Sequence, residues 1–304
     1  MVRARGLLEP LRLFAVAVGF LTRVPVPQTD IRVDDLRRAS AFFPLVGLGV
    51  AGVGVAVRAA FEPIWGSGVA TLAAIAAMIL VTGAFHEDGL ADTADGLWGG
   101  WDPAARLAIM RDSRIGTYGA VALIIVIALR AGLLLPLGLA DFTRAVVCGH
   151  VLARASTLLL ARILRPAGGP GSVGGGPLPA GGPLPAGDPL PAGDPLPAGT
   201  PATAGVDGEA LLGGRRRLGV SVVGPLGAQG IGVAAAVVAA TLGLAARAWA
   251  PIPLAAGLVV CLGCARLFRR RLGGITGDAF GAANQVVELA AVAAIVALAR
   301  AGLL

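Results

Sequence analysis

The sequence predicts an all-α protein: a polytopic transmembrane helical bundle of about seven spans, preceded by an N-terminal interfacial or re-entrant helix. Three observations lead there. Apolar runs of about twenty residues, the length that crosses a bilayer as helix, recur along the chain. Hydrophobic residues make up 56% of the 304 and charged residues only 14%, whereas a soluble domain carries about 25% charge. Long polar segments fall between the apolar runs at a spacing that puts them all on one side of a membrane. This composition excludes a soluble α/β enzyme and a disordered chain.

The elements follow in order. Residues 11–22 are apolar but too short to cross, and they run into Thr22-Arg23-Val24-Pro25-Val26-Pro27. They read as a helix lying in the interface or re-entering from it. No small-residue cleavage site follows, so a signal peptide is not expected. Spans are expected at 41–61, 69–85, 118–138, 143–163, 218–246, 250–266 and 284–304. The polar segments 86–117, 164–217 and 267–283 are separated by pairs of spans and must share a side, which 23–40 joins. Every basic residue is Arg. Of the 25, eighteen fall on that side, and five (Arg58, Arg130, Arg144, Arg247 and Arg300) are assigned to the other. The remaining two, Arg154 and Arg162, lie within a span. This bias places the polar segments in the cytoplasm. The net charge of +7 is therefore the signature of a lipid bilayer partner, and no nucleic acid is expected.

Residues 1–304 read as a single integral membrane domain. Within it, 177–200 repeat as PLPAGG, PLPAGD, PLPAGD, PLPAGT. Proline removes a backbone donor and fixes φ, so 168–208 are expected to be a disordered Pro/Gly-rich insertion in a cytoplasmic loop, tolerated rather than functional. Cys261 and Cys264 spell C-x-x-C inside an apolar run with no second pair, and read as helix packing.

The acids are scattered except in Phe85-His86-Glu87-Asp88-Gly89-Leu90-Ala91-Asp92-Thr93-Ala94-Asp95-Gly96. Asp88, Asp92 and Asp95 are spaced i, i+4, i+7 and share one face of a helix. Like charges on one stripe repel, the stretch holds no balancing Arg, and it begins at the end of an apolar span, where charge is unfavourable. A divalent cation bound by Asp88, Asp92 and Asp95 resolves this better than a merely solvated face. Oxygen ligands favour Mg²⁺, Mn²⁺ or Ca²⁺ over zinc. His86 is a candidate ligand, proton shuttle or interfacial residue. Glu87 points about 100° from Asp88 and is the least secure member.

A second polar block holds Arg106 and then Arg111-Asp112-Ser113-Arg114 before Gly116-x-x-Gly119 and a new span. Arg grips phosphate oxygens in a fork, and a helix N terminus adds backbone donors. A third block, Arg269 to Gln285, carries Gly273, Gly274 and Gly277 before Asp278, with Asn284 and Glu288 beyond. Its glycines allow backbone to approach a ligand closely. Glu288 lies inside the last span and needs a partner, for which Arg154 and Arg162 are candidates. Asp, Arg and Gly blocks on one face of a membrane bundle describe metal-dependent phosphoryl-type transfer. No Walker motif is present, and there is no Lys to complete one, so P-loop ATP hydrolysis is excluded.

These residues resemble the cobalamin synthase family, the adenosylcobinamide-GDP ribazoletransferases. The matching segments are Phe20 to Pro27, Phe43-Pro44-Leu45-Val46-Gly47, Thr82 to Gly96, Ile109 to Thr117, and Leu272 to Asp278 with Gly281 to Asn284. They come in the family's order and cover most of the chain, and F-H-x-D-G-L-A-D-x-x-D-G is long and specific. The resemblance implies a Mg²⁺-dependent enzyme of the bacterial cytoplasmic (inner) membrane with its catalytic loops in the cytoplasm. It would join adenosylcobinamide-GDP to α-ribazole, or its 5′-phosphate, and release GMP. Chemistry then assigns Asp88, Asp92 and Asp95 to Mg²⁺, and Arg106, Arg111, Ser113 and Arg114 to the diphosphate. Asp112 or His86 would take the hydroxyl proton, with Gly277, Asp278 and Asn284 completing the substrate site. A homo-oligomer or association with other enzymes of the pathway is compatible with this reading. Three departures stand out: Glu87 replaces an expected apolar residue, Leu160 to Pro166 match the expected Tyr-Ala-Arg-Pro segment only loosely, and the PLPAG repeat is foreign to the pattern. The alternative is a membrane phosphotransferase of the CDP-alcohol type, which expects D-G-x-x-A-R where Ala91 is here followed by Asp92. A cation transporter would place its acids at mid-membrane rather than at a span end.

Overall fold

The computed structural model describes residues 2–26, 33–168 and 226–304. Among them the chain is helical, with no strand and one isolated bridge between Pro166 and Ile275. The PLPAG repeat, nearly all of the 168–208 insertion and the start of the expected 218–246 span lie outside the described residues.

Helix α1 (Val2–Leu21) buries Leu13, Val16, Ala17, Phe20 and Leu21, a single helical stripe. It packs on the short α2 (Val33–Ala39), where Arg12 forks onto Asp35 at 3.0 and 2.7 Å.

Helix α3 (Phe43–Thr82) is broken at Gly66, whose φ of 74° and ψ of 169° only glycine adopts without strain. The chain reverses there. Gly54 before the break packs against Met78 after it, so closely that a Cβ on Gly54 would overlap the Met78 thioether. The two expected spans are thus the arms of one hairpin.

After α4 (Phe85–Gly99) and α5 (Pro103–Ile109) come the long helices α6 (Thr117–Leu134), α7 (Leu139–Ile163), α8 (Ala228–Ala246), α9 (Pro251–Arg271) and α10 (Gly277–Arg300). Six stretches are long and apolar enough to cross a membrane: 34–82, 117–134, 139–163, 228–249, 251–271 and 277–300. The reversal at Gly66 makes two passes of the first, and the total agrees with the seven expected.

Helices α7 and α10 are central. Their apolar windows are 67% and 61% buried against 22–28% for the other spans. α3 and α9 pack around α7 and α10, and α4 lies along α10.

At the end of the bundle that holds the Gly66 reversal, Arg58 is fully buried. It pairs with Glu62 at 2.6 Å, donates to the Leu137 carbonyl at 3.3 Å and lies over the Phe142 ring. The opposite end gathers the three polar segments, so far as they are described, through contacts between them. Arg106 donates to the Arg271 carbonyl at 3.0 Å, and Ile275 N–H to the Arg165 carbonyl at 2.9 Å. Asp95 receives the Gly116 N–H at 2.7 Å.

Arg130 requires a correction. The sequence reading assigns it to the far side, but it sits within α6, 2% exposed, and belongs to the interior. Its partners come from distant segments, and only folding brings them together.

Candidate functional site

The site is built on α4. Gly83 at φ 67° closes α3, and Ala84 follows at φ 56°, a left-handed conformation that costs a non-glycine residue strain. The two turn the chain sharply from the hairpin into α4, so that the acidic stretch starts a new helix instead of extending the span. His86, Glu87, Asp92 and Asp95 are buried on it, and Asp88 is half-buried.

The close neighbour of α4 is the start of α10. A Cβ on Gly89 would lie 2.7 Å from the Asp278 carbonyl oxygen, and one on Gly281 would lie 3.2 Å from Gly89 Cα. The two backbones touch where each lacks a side chain, which sets the Asp88 and Asp92 turns of α4 beside the first turn of α10. Thr276 caps that turn by accepting the Ala279 N–H at 3.1 Å, and Asp278 stands where the helix dipole favours an anion.

The three aspartates do not share one role in the geometry. Asp95 accepts the N–H groups of Gly116 at 2.7 Å and Gly119 at 2.9 Å, and so caps α6 from another helix. A Cβ on either glycine would overlap its carboxylate. This is the physical reason for the Gly-x-x-Gly spacing. Among the described residues no group of three or more His, Cys, Asp or Glu side chains converges as a ready-made metal cage.

The arginines also differ. Arg106 is buried and its guanidinium is spent on the carbonyls of Arg271 and Trp101, at 3.0 and 2.9 Å, as a strut between loops. Arg111, Ser113 and Arg114 are exposed. Arg114 forks onto Asp112, with Nε at 3.1 Å and Nη2 at 2.6 Å, and this hydrogen bonding pushes the Asp112 carboxyl down to about 2. A carboxylate held that low is a weak acceptor for a hydroxyl proton at neutral pH.

In the third block, the close approach that Gly274 allows is to the chain's own backbone, at Arg165 and Ala167, while Gly273 turns at φ 74°. Gly277 and Asn284 line a recess together with His86.

Behind the acidic face lies a buried ionic cluster. Glu288 receives Arg130 at 3.1 Å, Arg154 at 3.1 Å and His150 at 2.9 Å. Arg130 also donates to Gln285, whose amide donates to Glu87 at 3.1 Å. Of the two partners expected for Glu288, Arg154 is present, whereas Arg162 is exposed at the end of α7. Arg130, His150 and Gln285 were not anticipated. For Arg130 and His150 the available signal was a position inside an apolar span, where a polar side chain needs a partner, whereas Gln285 stands at the start of the last expected span. Glu87, set apart in the sequence, finds its place here: it faces the cluster and ties the first turn of α4 to α10.

Helix packing of this kind, with carboxylates and arginines collected at one end of an apolar bundle, defines a polytopic membrane protein with a polar site at the end of its spans. The comparisons with known proteins sharpen that class. The description "Cobalamin-5-phosphate synthase" belongs to a family that matches residues 13–179 and 213–296, and the chain is a member of that family. An adenosylcobinamide-GDP ribazoletransferase of Ralstonia nicotianae is 38% identical over 293 residues, 93% of this chain and 94% of the relative. The protein of the same name from Leptothrix cholodnii is 36% identical over 291 residues, 94% of this chain and 95% of the relative. A third, from Shewanella halifaxensis, is 46% identical over 150 residues, 48% of this chain and only 58% of the relative's own length. No solved structure matches the chain. The CDP-alcohol alternative is not favoured by any of these.

Proposed function

We propose that the chain is an adenosylcobinamide-GDP ribazoletransferase of the bacterial cytoplasmic membrane, working from the cytoplasmic side. The observation that carries this reading is the backbone contact of α4 with α10 at Gly89 and Gly281, which sets the Asp88 and Asp92 turns beside the first turn of α10 in the most specific segment of a chain that aligns end to end with relatives of that name. The excess of Arg on the polar segments supports the cytoplasmic orientation.

In the reaction a ribose hydroxyl of α-ribazole, or its 5′-phosphate, attacks the cobinamide-linked phosphorus. A new P–O ester bond forms, the P–O–P bond breaks, GMP leaves with the bridging oxygen, and the hydroxyl proton is lost. The donors on α4 fit Mg²⁺: they are carboxylate oxygens only, on successive turns. This ion ordinarily takes one or two carboxylates plus substrate phosphates rather than a full protein cage. Asp88 and Asp92 would hold it, with Asp95 beneath them holding α6 in place. When bound, Mg²⁺ neutralises diphosphate charge and stabilises the leaving phosphate. Arg111 and Arg114, exposed on the loop before α6, bind the diphosphate oxygens, with Arg114 leaving Asp112 to do so. Asp278 and the first turn of α10 border the same space. Buried charges behind α4 keep it at a fixed rotation, so the aspartates meet the substrate already oriented.

The test is release of labelled GMP from adenosylcobinamide-GDP by isolated membranes supplied with α-ribazole and Mg²⁺. Formation of the cobalamin product in step with GMP supports the reading. GMP release with no dependence on α-ribazole overturns it.

A further inference from the structure

We propose that the recess between the end of α1 and the starts of α3, α4 and α10 seats the planar base of the acceptor nucleoside. The proposal rests on the ribazole-transfer reading and names a subsite for it. Four phenylalanines wall the recess: Phe20, Phe43, Phe85 and Phe280. Phe20 stacks on Phe43 with centroids 5.8 Å apart and planes 12° apart, and Phe85 stands edge-on to Phe20 at 5.4 Å. Walls of this kind attract a flat heteroaromatic ring by offset stacking and by excluding water.

Two polar atoms sit among the rings without a hydrogen-bond partner: His86 Nδ1 and Asn284 Oδ1. Both residues are nearly fully buried, His86 at 3% exposed and Asn284 at 2%. Asn284 spends its Nδ2 donors on Thr157 Oγ1 and the Phe280 carbonyl, both at 2.9 Å, which leaves Oδ1 as a free acceptor. A buried polar atom without a partner is costly, and in a recess it marks where a ligand supplies the missing bond.

The chemistry of the pair is selective. A glycosylated benzimidazole has one free ring nitrogen, an acceptor, and its ribose carries hydroxyl donors. His86 protonated at Nδ1 would donate to the ring nitrogen, and Asn284 Oδ1 would accept from a hydroxyl. Guanine, with several ring donors and acceptors, would find too few partners. The recess is narrow, far too small for a corrin ring, and a flat bicyclic base enters it by parting the phenylalanine rings. Its position is also right. His86 is two residues from Asp88, and Gly277 precedes Asp278, so a base held here leaves its ribose next to the acidic turns.

Saturable binding of labelled benzimidazole, the ring system of α-ribazole, to the detergent-solubilised full chain is the first measurement. The second is KM for each substrate in membranes. Support is saturable binding that weakens at least tenfold in Phe280→Leu and in Phe85→Leu, with KM for α-ribazole rising by a similar factor and KM for adenosylcobinamide-GDP unmoved. Thermal unfolding of both variants shows that they are folded. Wild-type protein that releases GMP yet binds no benzimidazole overturns the subsite and leaves the transfer reading standing. Displacement of the label by GMP instead of α-ribazole overturns it as well. Benzimidazole binding by protein that transfers nothing supports the recess and overturns the transferase reading.

Discussion

The Asp95 carboxylate accepts the Gly116 N–H at 2.7 Å, across twenty-one residues of sequence, and so caps the N terminus of α6 from the side chain of α4. One member of the aspartate stripe is thereby committed to holding two helices together. Asp95→Ala leaves two backbone donors unsatisfied, each worth about 1–3 kcal/mol when buried. Thermal unfolding in detergent should show this loss for Asp95→Ala, a smaller one for Asp95→Asn, and little for Asp88→Ala. Equal stability of all three would contradict that role.

Asp92→Asn should cut Mg²⁺-dependent GMP release by at least about a hundredfold, in the range for loss of a group that positions transition-state charge, while the variant stays folded in membranes. Removal of Mg²⁺ with a chelator should silence the wild type reversibly. Full activity of Asp92→Asn, or indifference to chelation, would refute the metal assignment.

Gly89→Ala and Gly281→Ala each place a methyl against backbone of the facing helix, where nothing flexible can yield. Overpacking of this kind costs about 1–3 kcal/mol. It should also push α4 away from Asp278, so activity is expected to fall further than stability. Specific activity per folded molecule separates the two effects.

Glu288→Ala strands Arg154 without a carboxylate and leaves Arg130 only Glu87, at 3.5 Å, an expected loss of about 3–5 kcal/mol for a buried pair broken on one side. Glu288→Gln should lose less. The yield of folded protein in membranes gives the ranking, and a double-mutant cycle with Arg154→Met should show a coupling well above zero.

Asp112 provides a pH test. Its folded pKa of about 2 lies below the ordinary aspartate value of 3.8, so the paired, ionised form persists at all higher pH and is lost only as pH falls through about 2. No limb of a pH–rate profile measured between about pH 5 and 9 should then belong to Asp112. The profile of Asp112→Asn should keep its shape. Disappearance of an acidic limb in that variant would make Asp112 the proton acceptor.

The spans and the grouping of the polar segments at one end were legible because each depends on local pattern. About twenty apolar residues cross the bilayer, and the polar segments between them stay out of the lipid. Other assignments were not legible for a matching reason. Whether Arg106 grips substrate or braces Arg271, and whether Gly116 serves a ligand or makes room for Asp95, depends on segments far away in the chain.

The sequence alone determined the membrane class, the number of passes and the family, since hydropathy, charge bias and motif order are properties of the chain read in line. Tertiary structure alone decided which aspartate caps a neighbouring helix, where Glu87 and Arg130 belong, and that four phenylalanines from separate helices meet around His86 and Asn284. The physical reason is that a buried polar group takes its role from the partner that satisfies it, and here those partners arrive from other helices.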